Sequence, residues 1–364
     1  MTDLVTDPVT AFATDSPTDP QAVPVPAPLP ALTVLGAPDI LRRVEGRREE
    51  CVDAVRRAYL AHDAGETANP HSAFLRFPDR PTARIISLPA YLGGETETAG
   101  IKWIASFPEN TRHDLARASA VLLLNDIETG YPYACIESSI ISATRTAASA
   151  VLGAETLIGS RTAGRIGIVG SGLIAGHVTR FLTDLGWAAD GYRVFDLKRE
   201  NAERFAAGLS SHSPEGTDVR AVDTVEEAFL DCDLVVLTTV AGEPHLHDPR
   251  LLAHNPVVLH LSLRDLAPEL ILASQNFTDD IDHAVRERTS LHLAEQQVGN
   301  RDFIDGTLAD LLHGRVARDR TRPAVFSPFG LGVLDLAVGR WAYDGAVADG
   351  AGLTVSDFFQ NAAR

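Results

Sequence analysis

The sequence predicts an α/β fold in two parts, an α+β part with a mainly antiparallel sheet and a part of parallel strands alternating with helices. Three observations carry this. Residues 72–126 break into short extended runs, SAFLRF, ARIISLP, AGIKWIASFP and SAVLLLND, separated by turn residues such as PDRP and LGGE. Beyond Arg165 the runs RIGIV, YRVFDL, TDVRAV, DLVVLTTV and VVLHLSL alternate with helical segments. Continuous apolar strands of that kind imply a parallel sheet covered on both faces. Between the two parts, at residues 166–176, stands IGIVGSGLIAG, an apolar run that enters a glycine turn and leaves as a helix.

Taken in order, residues 1–31 hold seven prolines and four aspartates, and no lysine or arginine precedes Arg42. Such a segment favours extended conformations with little to bury, so a disordered tail is expected. From Ala37 to about Ala64, Ile40, Val44, Cys51, Ala54, Val55, Ala58 and Tyr59 recur at helical spacing, giving one or two amphipathic helices. After the extended runs, ETGYP makes a turn, and SIISATRTAASAVLGAETL (Ser139 to Leu157) reads as a long helix into the glycine turn. RENAERFAAGL and DTVEEAFLD are the helices expected between later strands, the second opened by a capping box of Thr224 and Glu227. A last helix is expected over about Gly330 to Tyr343.

At 364 residues the chain is long enough for two domains, and 45% hydrophobic with 22% charged residues is ordinary for a globular protein. A net charge of -17 argues against nucleic-acid or anionic-membrane partners, which need a basic face. Cys51, Cys135 and Cys232 stand far apart, as reduced thiols of a cytoplasmic protein do. No apolar stretch is long enough for a membrane span, and no basic and apolar secretory leader is visible.

Gly170-Ser171-Gly172-Leu173-Ile174-Ala175 fits GxGxxA after a strand and at a helix start. The first glycine allows the tight turn and the second lets the backbone approach a pyrophosphate. The small third residue lets helix and strand pack closely. Unpaired N–H groups at the helix start suit phosphates. The next strand ends in Asp196, a carboxylate placed to accept hydrogen bonds from ribose hydroxyls and to repel a 2′-phosphate. NAD is therefore the expected cofactor of a Rossmann-like dinucleotide-binding domain, with Lys198 and Arg199 leaving NADP open.

Several side chains are candidates for chemistry. Lys102 is a cation inside an apolar strand, either solvent-facing or buried beside a carboxylate. Arg76 and Arg84 lie in neighbouring extended runs, as surface residues or as a carboxylate clamp. Arg145 interrupts a small-residue helix and invites an anionic partner. Arg264 and Asp265 fall just past the carboxyl end of a parallel strand, the edge where α/β sheets bind ligands. Asp265 is there either an acid/base or the N-cap of a helix starting near Pro268. His245, His247 and His260 lack a third ligand at diagnostic spacing, so no metal is expected and they read as surface or core histidines.

Together LPAY, GIKWIASFPEN, LNDIETGYPYA, TRTAASA before IGIVGSGLIAG, DLVVLTTV, SLRDLAPE and FSPFGLGVLDLA resemble the ornithine cyclodeaminase/mu-crystallin family, over roughly residues 38–345. HSAFLRFPDRPTARIISLPAYLGG and HLAEQQVGNRDFIDGTLADLL look most like its branch that forms 2,3-diaminopropionate for siderophores and peptide antibiotics. The resemblance implies a homodimer in which residues 32–145 with 330–364 bind substrate and dimerise, while residues 146–329 bind NAD. It implies that Lys102 contacts a substrate carboxylate, that Asp265 acts in proton transfer, and that Arg145 lies at cofactor and substrate. Thr238, Thr239, Ser262 and the turn Phe329-Gly330-Leu331 would line the cofactor. Cyclodeaminases carry an arginine where this chain reads His71-Ser72, and Arg76 is the expected replacement, which fits a longer and more anionic substrate. The implied activity is NAD-dependent oxidative cleavage of N-(2-amino-2-carboxyethyl)-L-glutamate. Ornithine cyclodeamination, another amino- or imino-acid redox reaction, and non-catalytic ligand binding stay open.

Overall fold

The structure, a computed structural model, describes residues 29–360, so the expected tail lies outside the described residues up to position 28. The first sheet uses β1 (Leu32–Leu35), β2 (Thr67–Ala68), β3 (Ala73–Phe77), β4 (Arg80–Leu92), β5 (Thr98–Ser106), β6 (Ala118–Asn125) and β7 (Pro132–Glu137). The second uses β8 (Thr162–Val169), β9 (Ala188–Phe195), β10 (Asp218–Ala221), β11 (Leu234–Leu237), β12 (Val257–His260), β13 (Gln275–Thr278), β14 (Ile304–Thr307) and β15 (Ala324–Phe326). A last strand, β16 (Leu353–Val355), returns to the first sheet beside β1. The helices are α1 (Ala37–Val44), α2 (Arg48–Asp63), α3 (Ser139–Ile158), α4 (Leu173–Asp184), α5 (Arg199–Ser210), α6 (Pro268–Leu272), α7 (Ile281–Ala284), α8 (Ser290–Val298), α9 (Leu308–Leu312) and α10 (Gly332–Ala348).

The first sheet runs β16-β1-β7-β6-β5-β4-β2, with β3 paired to β4, and β4 to β7 form the expected antiparallel meander. Its register sets Leu88 opposite Lys102 and Lys102 opposite Leu122, all buried on the face that α10 covers. The strand period of two puts the neighbours Trp103 and Val121 on the other face, 42% and 40% exposed.

The second sheet runs β10-β9-β8-β11-β12-β15-β13-β14, every pair parallel. Its strands β11 (LVVL) and β12 (VVLH) are buried throughout, which is why they read as unbroken apolar runs. From β8 the chain winds one way through β9 and the other way through β11, so the carboxyl ends of β8 and β11 form the switch point where such sheets bind ligands. The fold is thus α/β, a Rossmann-like sheet joined to an α+β unit.

Two segments depart from the expectation. DTVEEAFLD forms only a 3-10 turn at Glu226–Ala228. Thr224 and Glu227 do cap one another, but Asp231 already takes a left-handed φ of 60° and sends the chain into β11. Strands β13 to β15 were not foreseen from sequence. QNFT and IDGT have no apolar run, and AVF is too short to stand out.

Candidate active site

The glycine turn joins β8 to α4 at the switch point. Gly170 has φ +86°, and a side chain there would sit 3.0 Å from the Thr238 carbonyl, so only glycine lets β8 and β11 end this close. Gly172 is the N-cap of α4 and has open space where a side chain would stand. Leu173 and Ile174 form the first turn of α4. Asp196, just past β9, accepts from Ser171 N at 3.0 Å, Ser171 Oγ at 2.8 Å and Lys198 N at 2.9 Å. Burial works to raise its carboxyl, but the N–H groups of Ser171 and Lys198 outweigh it and hold the group below the usual range. A cleft of about 640 Å³ opens here, lined by Gly170, Ser171, Gly172, Asp196, Thr238 and Thr239 among others, with His245. An open glycine, free helix-start N–H groups and an ionised carboxylate at the second strand fit a dinucleotide. Asp196→Ala is expected to weaken NAD binding about tenfold while NADP binding holds or improves, measured by fluorescence titration of the reduced cofactors.

Asp265 follows β12 and is fully buried. It is no N-cap, since α6 begins after Ala267 without a side-chain cap. Its Oδ1 accepts from Thr239 Oγ1 at 2.5 Å and meets His245 Nε2 at 3.1 Å, and Ser262 Oγ donates to Oδ2. The imidazole of His260, wholly buried, accepts from Asp265 N at its Nε2 at 3.0 Å, 3.4 Å from Oδ2, and bonds Ser327 Oγ through Nδ1. Burial alone would raise the Asp265 carboxyl. The hydroxyls of Ser262 and Thr239 donate to it and hold the group well below the usual range. His260 is the core histidine expected from sequence, while the link of His245 and His260 to Asp265, 20 and 5 residues away, has no motif spacing to announce it.

Lys102 and Arg145 meet through Asp335, a residue the sequence reading missed. Lys102 Nζ lies 2.6 Å from Asp335 Oδ2, and Arg145 Nε lies 3.1 Å from Oδ1. Lys102 is 2% exposed and Asp335 fully buried, in the first turn of α10 where the helix dipole favours an anion. Burial pushes the Lys102 ammonium down to about 8, with Asp335 opposing and Arg145 adding to the effect. The one available sequence signal was an acid within the apolar run GVLDLAVG. Gly330, with φ +98°, passes against the Arg145 guanidinium so closely that a Cβ would fall 2.6 Å from its nitrogen. That turn is held by Asp279, which accepts from Phe329 N at 2.9 Å and Gly330 N at 2.6 Å, and Leu331 is buried as the N-cap of α10.

Arg84 shares the sheet face of Lys102, because Arg84 pairs with Ser106 and Leu88 with Lys102 in one register. Its Nε is buried with no partner among the described residues. Arg76 stands opposite it on β3 and pairs with Glu287 at 2.9 Å, 58% exposed. Arg264 bonds the Glu287 carbonyl at 2.7 Å, and burial beside Arg84 lowers its guanidinium pKa. The structure therefore brings Arg76, Arg84 and Arg264 into one neighbourhood, Lys102 with Arg145 into a second, and Thr239, Ser262 and Asp265 into a third.

A parallel sheet of this order, with a glycine turn and a cleft at its switch point, defines a Rossmann-type dinucleotide-binding protein carrying a second, helix-backed sheet. Residues 40–350 match the ornithine cyclodeaminase/mu-crystallin family, and the chain belongs to it. The N-((2S)-2-amino-2-carboxyethyl)-L-glutamate dehydrogenase of Staphylococcus aureus is 27% identical over 88% of this chain and 97% of its own. The alanine dehydrogenase of Archaeoglobus fulgidus is 24% identical over 85% of this chain and 94% of its own. The structure of the Thermococcus litoralis Δ1-pyrroline-2-carboxylate reductase, solved with NADH and L-proline, superimposes with a TM-score of 0.81 at 24% identity, covering 89% of this chain and all of that one.

Proposed function

We propose that the chain is an NAD-dependent oxidoreductase that converts N-(2-amino-2-carboxyethyl)-L-glutamate and water to L-2,3-diaminopropionate and 2-oxoglutarate. The observation that carries this is charge. Lys102 and Arg145 share one carboxylate, Asp335, and so leave an uncompensated buried positive charge on the sheet face that also carries Arg84. Buried charge of that kind calls for an anionic partner. The proposed substrate carries three carboxylates, which gives these groups and Arg76 a shared purpose. The 27% identity to the Staphylococcus aureus enzyme, over nearly its whole length, supports the same reading.

Held by the glycine turn and Asp196, NAD would supply the oxidising power, as acceptor of the hydride of the glutamate α-carbon. Lys102 and Arg145 hold the neighbouring carboxylate, and Arg76 and Arg84 hold a distal one. Asp265 anchors the proton transfers by which water attacks the resulting imine and the C–N bond breaks. Gly170, Ser171, Gly172, Leu173, Ile174, Asp196, Thr238, Thr239, Ser262 and Leu331 belong to the cofactor side of the site. Incubating the protein with NAD and this substrate should yield NADH and 2-oxoglutarate in equal amounts. Ammonia released from ornithine without net NADH would assign the cyclodeaminase reaction instead.

In this reading residues 32–145 with 330–364 form the substrate-binding and dimerisation unit, and residues 146–329 the NAD-binding unit. A second copy covers the open face of the first sheet. Trp103 and Val121 are cross-strand neighbours there, and Ile101 beside Leu123 extends the same apolar surface. Trp103→Glu is expected to convert the dimer to monomer in analytical ultracentrifugation while the fold, followed by circular dichroism, is kept.

A further inference from the structure

His245 is bound to Asp265 at both ends of its residue. Its main-chain N–H donates to the Asp265 carbonyl at 3.0 Å, and its ring Nε2 lies 3.1 Å from Asp265 Oδ1. The proton on this contact can be assigned. An ionised carboxylate offers no donor, so Nε2 must carry the hydrogen. Thr239 supports the assignment, because its Oγ1 accepts from Ala241 N at 3.1 Å and directs its own hydrogen at Oδ1. Neutral His245 therefore has a lone pair on Nδ1, which has no hydrogen-bond partner among the described residues. The ring is 43% exposed and lines the dinucleotide cleft.

Asp265 is placed the opposite way. It is fully buried, and its oxygens are engaged by Thr239, His245 and Ser262, with His260 close by. To take a proton from a substrate water it would have to give up one of those bonds and reach solvent from which it is shielded. An imidazole oriented by a buried carboxylate meets no such obstacle, since the carboxylate stabilises the imidazolium as it forms.

We propose that His245 is the catalytic acid/base of this site and that Asp265 acts through it as the positioning residue. The inference rests on the amine oxidation proposed above. Once the hydride has left, the substrate carbon is an iminium centre. A water oxygen bonds to that carbon and its proton passes to His245 Nδ1. The imidazolium returns the proton to the nitrogen as the C–N bond breaks. The hydroxyl proton leaves with the amine, which departs as an ammonium, so His245 ends neutral and the products are a ketone and the diamine. The charged and titratable groups facing this ring are Asp265 and, behind it, His260, with Glu243 and Asp196 lining the same cleft and the His247–Glu269 pair adjacent in the chain.

The test compares full-length wild type with His245→Gln and His245→Ala. Both variants should still bind NADH, because the glycine turn and Asp196 are unchanged in them. The kcat of His245→Gln should fall about 100-fold or more, the scale of general acid–base catalysis, with little change in KM. The acidic limb of the wild-type pH profile should vanish, and added imidazole should restore His245→Ala at least about tenfold. A His245→Gln enzyme with wild-type kcat and an unchanged pH profile would overturn the proposal, as would failure of imidazole to rescue a folded, NADH-binding His245→Ala. If wild type ignores the glutamate conjugate but oxidises another amino acid such as alanine, the substrate reading falls and the same comparison on that amine decides His245. A wild type that turns over no amine or imine overturns both.

Discussion

Asp335→Ala is expected to lower stability by about 3–5 kcal/mol, the cost of removing one partner from a buried ion pair. The loss is large because Asp335 is the carboxylate shared by Lys102 and Arg145, and both cations would face each other in a site that is 2% exposed at the lysine. Asp335→Asn preserves the shape and isolates the charge. Its stability should depend on pH over a wider range than that of wild type. The sign follows from Lys102, whose folded value of about 8 lies below the ordinary lysine value of 10.5. Below pH 8 both states hold the proton and folding bears the full cost of the buried ammonium, about 3 kcal/mol. Between about 8 and 10.5 only the unfolded state still holds it, so stability rises with pH across that window. Without Asp335 the Lys102 value falls further and the window widens downward. Adding Lys102→Met to Asp335→Ala should recover part of the lost stability, and denaturant melts of the four proteins complete the cycle.

The second large effect is on turnover. Asp265→Asn should keep NAD affinity and lose about 100-fold in kcat, no more than His245→Gln loses and within the range of acid–base catalysis. An amide nitrogen at either oxygen would face donors from Thr239, His245 or Ser262, and the proton on His245 would no longer be held on Nε2. Because both residues serve one proton path, the double variant with His245→Gln should be no slower than the worse single one. Unchanged turnover in Asp265→Asn would remove the carboxylate from the chemistry.

What could be read beforehand followed local rules. The glycine turn, Asp196 and the buried strands β11 and β12 declare themselves within a few consecutive residues, as does the long helix α3. The site's partners do not. Lys102 and Asp335 are 233 positions apart, and Arg145 and Asp335 are 190 apart. A lysine in a strand looks the same whether it faces water or a buried acid, so only the register of β4, β5 and β6 under α10 decides. His245 was read as a surface or core residue, which its 43% exposure allows, and its link to Asp265 arises because β11 and β12 end side by side. Short polar strands such as QNFT stay invisible because burial by neighbouring strands, not their own composition, makes them strands.

The chemistry itself is tested most directly by isotope transfer. The substrate carrying deuterium at the glutamate α-carbon should give NADH with one deuterium, matched by equal 2-oxoglutarate, in mass spectra of a single-turnover mixture. Unlabelled NADH, or products formed with no NADH at all, would contradict hydride removal at that carbon.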